Sequence, residues 1–339
     1  MKKLMLAAMA ATAAIAFTAH ATAQNYKDEY TVSTVLPDSF PWGAAAQRWA
    51  DLVDERTDGR INMRIYPGTQ LVQGEQTREF TAMRQGIIDM AVGSTINWSP
   101  QIQELNIFAL PFLMPDYDAL DALTGGEVGN RLFERIEEAG VVPLAWAENG
   151  FREITNSIGP IRTPEDLDGM KIRVVGSPLF SDIFSALGAN PTQMSWADAQ
   201  PALTTGAVDG QENPLTIYSG LQMQNVDQNY ITLWGYVADP LIFGVSAQVW
   251  DTFTEEDQQI LREAAVEAGD YGIELAREGL VEPDLSLIEE IESEGVEITR
   301  LTEDERQAFV DATRGVYDEW SETIGQDLVT AAEEAIANR

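Results

Sequence analysis

The sequence has no cysteine and a single histidine, His20, in 339 residues. Without thiols there is no disulfide framework, no thiolate nucleophile and no Cys-based zinc site, so a chain of this length must be held by a large apolar core. The lone histidine falls in an N-terminal stretch made of Lys2 and Lys3, an apolar run from Leu4 to Phe17, and Ala21-Thr22-Ala23 before Gln24. That is the layout of a cleaved export signal, and the apolar run is shorter than the roughly 20 residues a membrane-spanning helix needs. Residues 1–23 are therefore read as a signal peptide and the mature chain as periplasmic. Its loss leaves no imidazole, which excludes Ser-His-Asp hydrolysis and histidine ligation of zinc or haem; no cofactor and no metal site is expected.

Positive charge is also scarce, with 21 Lys and Arg against 55 Asp and Glu and a formal net charge of −34. Such a surface repels phosphate backbones and anionic lipid, so nucleic acid is not a partner. Nor is there a long hydrophobic run downstream of the leader. Phe108 to Pro115 is apolar but only eight residues long and broken by proline, which suits a buried segment crossing between domains.

What is present is an alternation of strand and helix patterns. Tyr30–Leu36, Ile61–Tyr66 and Ile87–Val92 read as strands, with helices over about Trp42–Arg56 and Gly74–Gln85 between them. This argues for a parallel α/β sheet, whose ligands collect beyond the carboxyl ends of the strands, and points to loops holding Trp42, Glu75, Ser94 and Asn97. Val141–Ala147 is a further strand. Thr163-Pro164-Glu165-Asp166 is a helix-start signature that opens a second α/β unit. In that unit Lys171-Ile172-Arg173-Val174-Val175 is a short buried strand carrying a guanidinium, and an unpaired buried charge there calls for an anion. A helix from Leu179 to Leu187, a turn at Asn190-Pro191, a helix start at Ser195-Trp196-Ala197-Asp198 and a polar turn at Asp209 to Pro214 follow. Tyr230–Tyr236 and Leu241–Ser246 read as two strands. The last 90 or so residues are helical and densely charged, as in Glu255–Glu282 and Glu303–Ile324.

Five of these motifs, in order and spacing, resemble the extracytoplasmic substrate-binding receptors of TRAP (tripartite ATP-independent periplasmic) transporters, of the C4-dicarboxylate-receptor-like family. They are Gly150 to Asn156, Pro160-Ile161 with Thr163 to Gly169, the Lys171-Ile172-Arg173-Val174 strand, the spacing to Trp196, and Asp209 to Pro214. The resemblance runs through the whole mature chain. It implies two α/β domains around a ligand cleft, with long C-terminal helices bracing both: residues 24–148 as domain I, 149–235 as domain II, and 236–339 as a return segment and the bracing helices. It also implies a non-enzymatic receptor that closes by hinge bending over a small organic acid and hands it to the TRAP membrane subunits. The acid could be a dicarboxylate, a 2-oxo or 2-hydroxy acid, a sugar acid or a sulfonate.

In that family the arginine of the KIRV strand pairs with a substrate carboxylate, which puts that role on Arg173. Arg152 is the second arginine with mostly uncharged or apolar neighbours, and either contacts the ligand or braces the site. Asn213 is the expected hydrogen-bonding partner and Trp196 an apolar wall. Trp42, Glu75, Ser94 and Asn97 are candidates from the first unit; Tyr218 and Tyr236 are candidates of the same weight. The competing reading is an exported carboxylate-dependent hydrolase using acids such as Asp209 and Glu212, which would need two carboxyls of separated pKa around a scissile bond.

Overall fold

The computed structural model describes residues 26–339; the signal-peptide reading lies outside the described residues. Among the described residues, eleven strands form two sheets. The first contains β1 (Tyr30–Ser33), β2 (Met63–Tyr66), β3 (Met90–Ser94), β4 (Val141–Phe151) and β10 (Ala238–Ser246), in the order β2-β1-β3-β10-β4. The second contains β5 (Glu153–Asn156), β6 (Lys171–Val174), β7 (Asn190–Gln193), β8 (Gly210–Asn213), β9 (Tyr230–Leu233) and β11 (Glu297–Arg300), in the order β11-β9-β5-β8-β6-β7.

Neither sheet is wholly parallel, which corrects the reading from strand-helix alternation. β1 runs parallel to β2 and β3, but β10 lies antiparallel between β3 and β4, and β5 lies antiparallel between β8 and β9. The reason lies in two of the chain's crossings between the sheets: β4 runs into β5 with only Arg152 between them, and β9 returns into β10 through Trp234–Val237. The two crossings are tied together by the Arg152 amide, which donates to the Val237 carbonyl at 3.0 Å.

The C-terminal helices form where local chemistry predicts. Thr254 caps Glu255–Arg277 by accepting from the Asp257 amide, with acids in the first turn and Arg277 in the last, as the helix dipole favours. This helix lies on the first sheet. Its small face lets backbone meet backbone: a Cβ at Gly269 would sit 2.2 Å from the Trp146 carbonyl oxygen. A Thr302/Glu305 capping box opens the Glu303–Ile324 helix. It is this second helix that spans both halves, because Phe309 packs into the apolar core of the second sheet while Tyr317 and Ile324 pack into a core of the first. The apolar segment at Phe108 crosses in the same way, with Phe108 in one core and Ala109 in the other. Among the described residues no helix is long and apolar enough to cross a membrane.

Candidate functional site

A cavity lies between the two sheets. It is lined by Val35, Leu36, Trp42, Gln76, Ser94, Ile96, Asn97, Asn149 and Asp239 from the first half, and by Arg152, Arg173, Val175, Trp196, Asn213 and Ile217. Most of these residues stand at or just beyond the carboxyl ends of β1, β3, β6 and β8, the place where α/β sheets present ligand sites. The cavity encloses about 320 Å³ including its mouth.

Arg173 comes from β6 and is 1% exposed. Its Nε and Nη2 donate to the Met194 carbonyl at 3.1 and 2.8 Å, and its guanidinium lies 5.4 Å from the centre of the Trp196 ring. No carboxylate among the described residues forms an ion pair with it. Burial pulls its pKa down to about 10; Glu212 opposes the shift and the Arg152 charge adds to it. It remains a cation at neutral pH, oriented by a carbonyl and left without a counter-ion.

Arg152, also buried, is the opposite case. Glu212 grips it through both carboxylate oxygens: Oε2 accepts from Nε, and Oε1 accepts from Nη2 at 2.8 Å. Nη2 also donates to the Glu212 carbonyl at 2.7 Å, and Nη1 reaches Asp239 Oδ2 at 3.4 Å. Burial pulls its pKa down, but Glu212 and Asp239 outweigh that, and the net shift is upward. Tyr236 completes this group by donating its hydroxyl to Glu212 Oε2 at 2.8 Å.

On the first half, Ser94 caps the short Thr95–Trp98 helix and donates its hydroxyl to Asp239 Oδ1. Asn97 Oδ1 accepts from Gln76 Nε2 at 2.6 Å, and Gln76 Oε1 in turn accepts the Trp196 amide at 2.8 Å, a hydrogen bond that crosses the cleft. The Trp42 indole donates to the Val92 carbonyl at 2.6 Å, which fixes the ring as a wall. The β4–β10 ladder skips a residue here: Asp239 pairs with Gly150 but Pro240 pairs with Glu148, so Asn149 is the extra residue of a bulge. Such a bulge re-aims side chains. Asn149 and Asp239 both line the cavity, and Asn149 Nδ2 donates to Asp239 Oδ2 at 2.8 Å.

Of the ten residues picked from the sequence, Arg173, Arg152, Asn213, Trp196, Trp42, Ser94 and Asn97 line this cavity. Three do not. Glu75 is solvent-exposed, because a left-handed turn at Gln73 and Gly74 points its neighbour Gln76 inward instead. Tyr218 lies in a separate apolar core of the second half, its hydroxyl donating to the Gln228 carbonyl at 2.6 Å. Tyr236 sits behind the Arg152–Glu212 pair rather than on the cavity wall. The stretch from Gly210 to Asn213 is not a turn but strand β8, paired on both edges. Asp239, Asn149 and Gln76 were missed. An acid beside proline in the otherwise apolar stretch Tyr236–Ser246 was the available signal for Asp239.

Residues 32–323 match the family model for bacterial extracellular solute-binding protein, family 7. The chain belongs to this family. The C4-dicarboxylate-binding periplasmic protein DctP of Rhodobacter capsulatus is 32% identical over 305 residues, covering 89% of each chain. Among solved structures, a TRAP periplasmic solute-binding protein from Ralstonia eutropha H16, with bound (S)-2-hydroxy-2-methyl-3-oxobutanoate, superposes with a TM-score of 0.92. It is 62% identical and covers 93% of this chain and 100% of that one. Another from Sulfurospirillum deleyianum, with bound succinate, has a TM-score of 0.82 at 28% identity, covering 90% and 98%.

This family 7 protein is thus a periplasmic receptor for small organic acids that works with TRAP membrane subunits, and it is not an enzyme. The hydrolase alternative is corrected accordingly. Its two acids are committed elsewhere: Asp209 accepts the Lys171 amide at 2.8 Å, and Glu212 is held by Arg152 and Tyr236.

Proposed function

We propose that this receptor carries a small monocarboxylate, of the size and polarity of (S)-2-hydroxy-2-methyl-3-oxobutanoate, with its carboxylate on Arg173. The observation that carries the reading is the contrast between the two arginines. Arg152 is already neutralised by Glu212, whereas Arg173 is buried in the cavity wall with no carboxylate against it. A buried guanidinium lacking a counter-ion is a costly arrangement that an anionic ligand relieves, through charge-assisted and preferably paired hydrogen bonds.

One uncompensated cation suits one carboxylate. The remaining wall divides into polar groups (Asn97, Asn149, Asn213, Ser94, Asp239) and apolar ones (Leu36, Trp42, Ile96, Val175, Ile217), which fits a short acid bearing both oxygen substituents and methyl groups. The apolar share of the wall disfavours polyhydroxylated sugar acids. The two halves, each contributing part of this wall, act as domains that close over the acid, and Arg152 serves as a brace rather than as a ligand contact.

A thermal-shift and calorimetry panel tests the reading. 2-Hydroxy-2-methyl-3-oxobutanoate and related short 2-hydroxy and 2-oxo acids are expected to bind more tightly than succinate and galactonate. A ligand at 100 times its dissociation constant adds about 2.7 kcal/mol to stability, an easily read shift. Preferential binding of a dicarboxylate or a sugar acid would overturn the monocarboxylate reading.

A further inference from the structure

We propose that Asp239 is the specificity-determining residue of this site, accepting a hydrogen bond from a hydroxyl of the cargo and repelling any second carboxylate. The proposal rests on the reading that the cargo's carboxylate sits on Arg173, and it adds what decides the rest of the molecule.

Asp239 is 2% exposed and reaches the cavity from the start of β10, where the bulge at Asn149 turns both side chains inward. Its donors are fixed in place. Oδ1 accepts from the Ser94 hydroxyl, and Oδ2 accepts from Asn149 Nδ2 at 2.8 Å and Arg152 Nη1 at 3.4 Å. A carboxylate offers about four acceptor positions, so three donors leave roughly one unfilled, on Oδ1. A small cargo pinned on Arg173 fills the same cavity, and a hydroxyl is the neutral group that can donate there.

Charge points the same way. Glu212 already neutralises Arg152 bidentately, so Arg152 has little positive charge to share with a second ligand carboxylate. Burial raises the Asp239 pKa, while Arg152, Ser94 and Asn149 oppose the shift by binding its ionised form. A dicarboxylate would place its second charge against a buried acid, a like-charge contact of the kind that rejects wrong partners. A deoxy acid would instead leave the oxygen facing a methylene, and a site built to bond a hydroxyl discriminates strongly against ligands lacking one.

Calorimetry with three acids of similar size tests this: 2-hydroxy-3-methylbutanoate, its deoxy counterpart 3-methylbutanoate, and methylsuccinate. For the wild-type protein the hydroxy acid is expected to bind roughly 10- to 150-fold more tightly than the deoxy acid, as a hydrogen bond to a charged group implies, with methylsuccinate weakest. In Asp239→Asn the hydroxy/deoxy ratio should collapse to within about threefold and methylsuccinate should gain affinity, since the amide removes the charge at nearly constant shape. Equal wild-type affinities for hydroxy and deoxy acids would overturn the proposal without any variant. So would an Asp239→Asn protein that keeps both the ratio and the exclusion of methylsuccinate. Failure of all three acids to bind the wild type would instead overturn the assignment of a monocarboxylate to Arg173, on which the proposal stands.

Discussion

Two arginines about twenty residues apart in sequence meet the same low-dielectric interior and resolve it differently. Arg152 is compensated from within the chain, and the pair is a structural fixture: removing either partner would strand a charge where stranding costs about 3–5 kcal/mol. Arg173 has only the Met194 carbonyl and the face of Trp196, so its electrostatic need is met from outside. Arg173→Lys is therefore expected to fold and to lose most affinity, because an ammonium cannot reproduce two parallel guanidinium hydrogen bonds and would also lose its orientation by Met194. Loss of one charge-assisted bond, about 1.5–3 kcal/mol, corresponds to roughly 10- to 150-fold weaker binding by calorimetry. An unchanged dissociation constant would remove Arg173 from the carboxylate site. Arg173 was legible in the sequence because a cation inside a β-branched strand is anomalous wherever it occurs. The division of labour between the arginines was not, since the partner of Arg152 lies sixty residues away at Glu212.

At the scale of elements, the first half is locked behind its cleft by one buried acid. Glu79 opens the Glu79–Arg84 helix and accepts the Ser33 hydroxyl from β1 at 2.6 Å and the Trp98 indole at 3.1 Å, so it joins a helix, a strand and the short segment that carries Ser94 and Asn97. Burial without a cationic partner pushes its pKa up from 4.5 to about 7. The folded state thus holds a proton that the unfolded chain releases above about 4.5. This contribution to stability is fully present below that pH, falls as pH rises toward about 7, and is flat beyond. Glu79→Gln, which is always neutral and can still accept, should match the wild type near pH 5 and melt higher near pH 8. The gap corresponds to at most about 3 kcal/mol by linkage. Melting curves that track each other across this range would show that Glu79 does not titrate with folding. Elements with their own periodicity, such as Pro41–Arg56 and the two long C-terminal helices, were readable in advance. Strands β5, β7, β8 and β11 were not. Each is four residues long, and β7 and β8 have turn-like compositions, Asn-Pro-Thr-Gln and Gly-Gln-Glu-Asn, that only their neighbours in the sheet hold extended.

For the whole molecule, a few contacts reach across the cavity from the half built on one sheet to the half built on the other. Gln76 accepts the Trp196 amide from the other side, and Gly220, at the end of the Leu215–Gly220 helix, receives the ring of Phe40 from the first half. A Cβ at Gly220 would lie 2.6 Å from Phe40 Cε1, closer than real Cβ contacts allow. If ligand binding is closure of an open form, Gly220→Ala penalises only the closed state, where overpacking costs typically 1–3 kcal/mol. A ligand stabilises closure only by its differential contacts, so that penalty comes directly out of apparent affinity, giving roughly 5- to 150-fold weaker binding. An open form in which Gly220 and Phe40 part would have no such collision, and the unliganded melting temperature should then be unchanged. Small-angle scattering supplies the second readout: the wild type should shrink on adding a tight acid, while the variant should need a higher acid concentration to reach the same radius of gyration. Wild-type affinity in Gly220→Ala, together with a radius of gyration that does not respond to ligand in either protein, would mean that the halves stay together and that acids enter without closure.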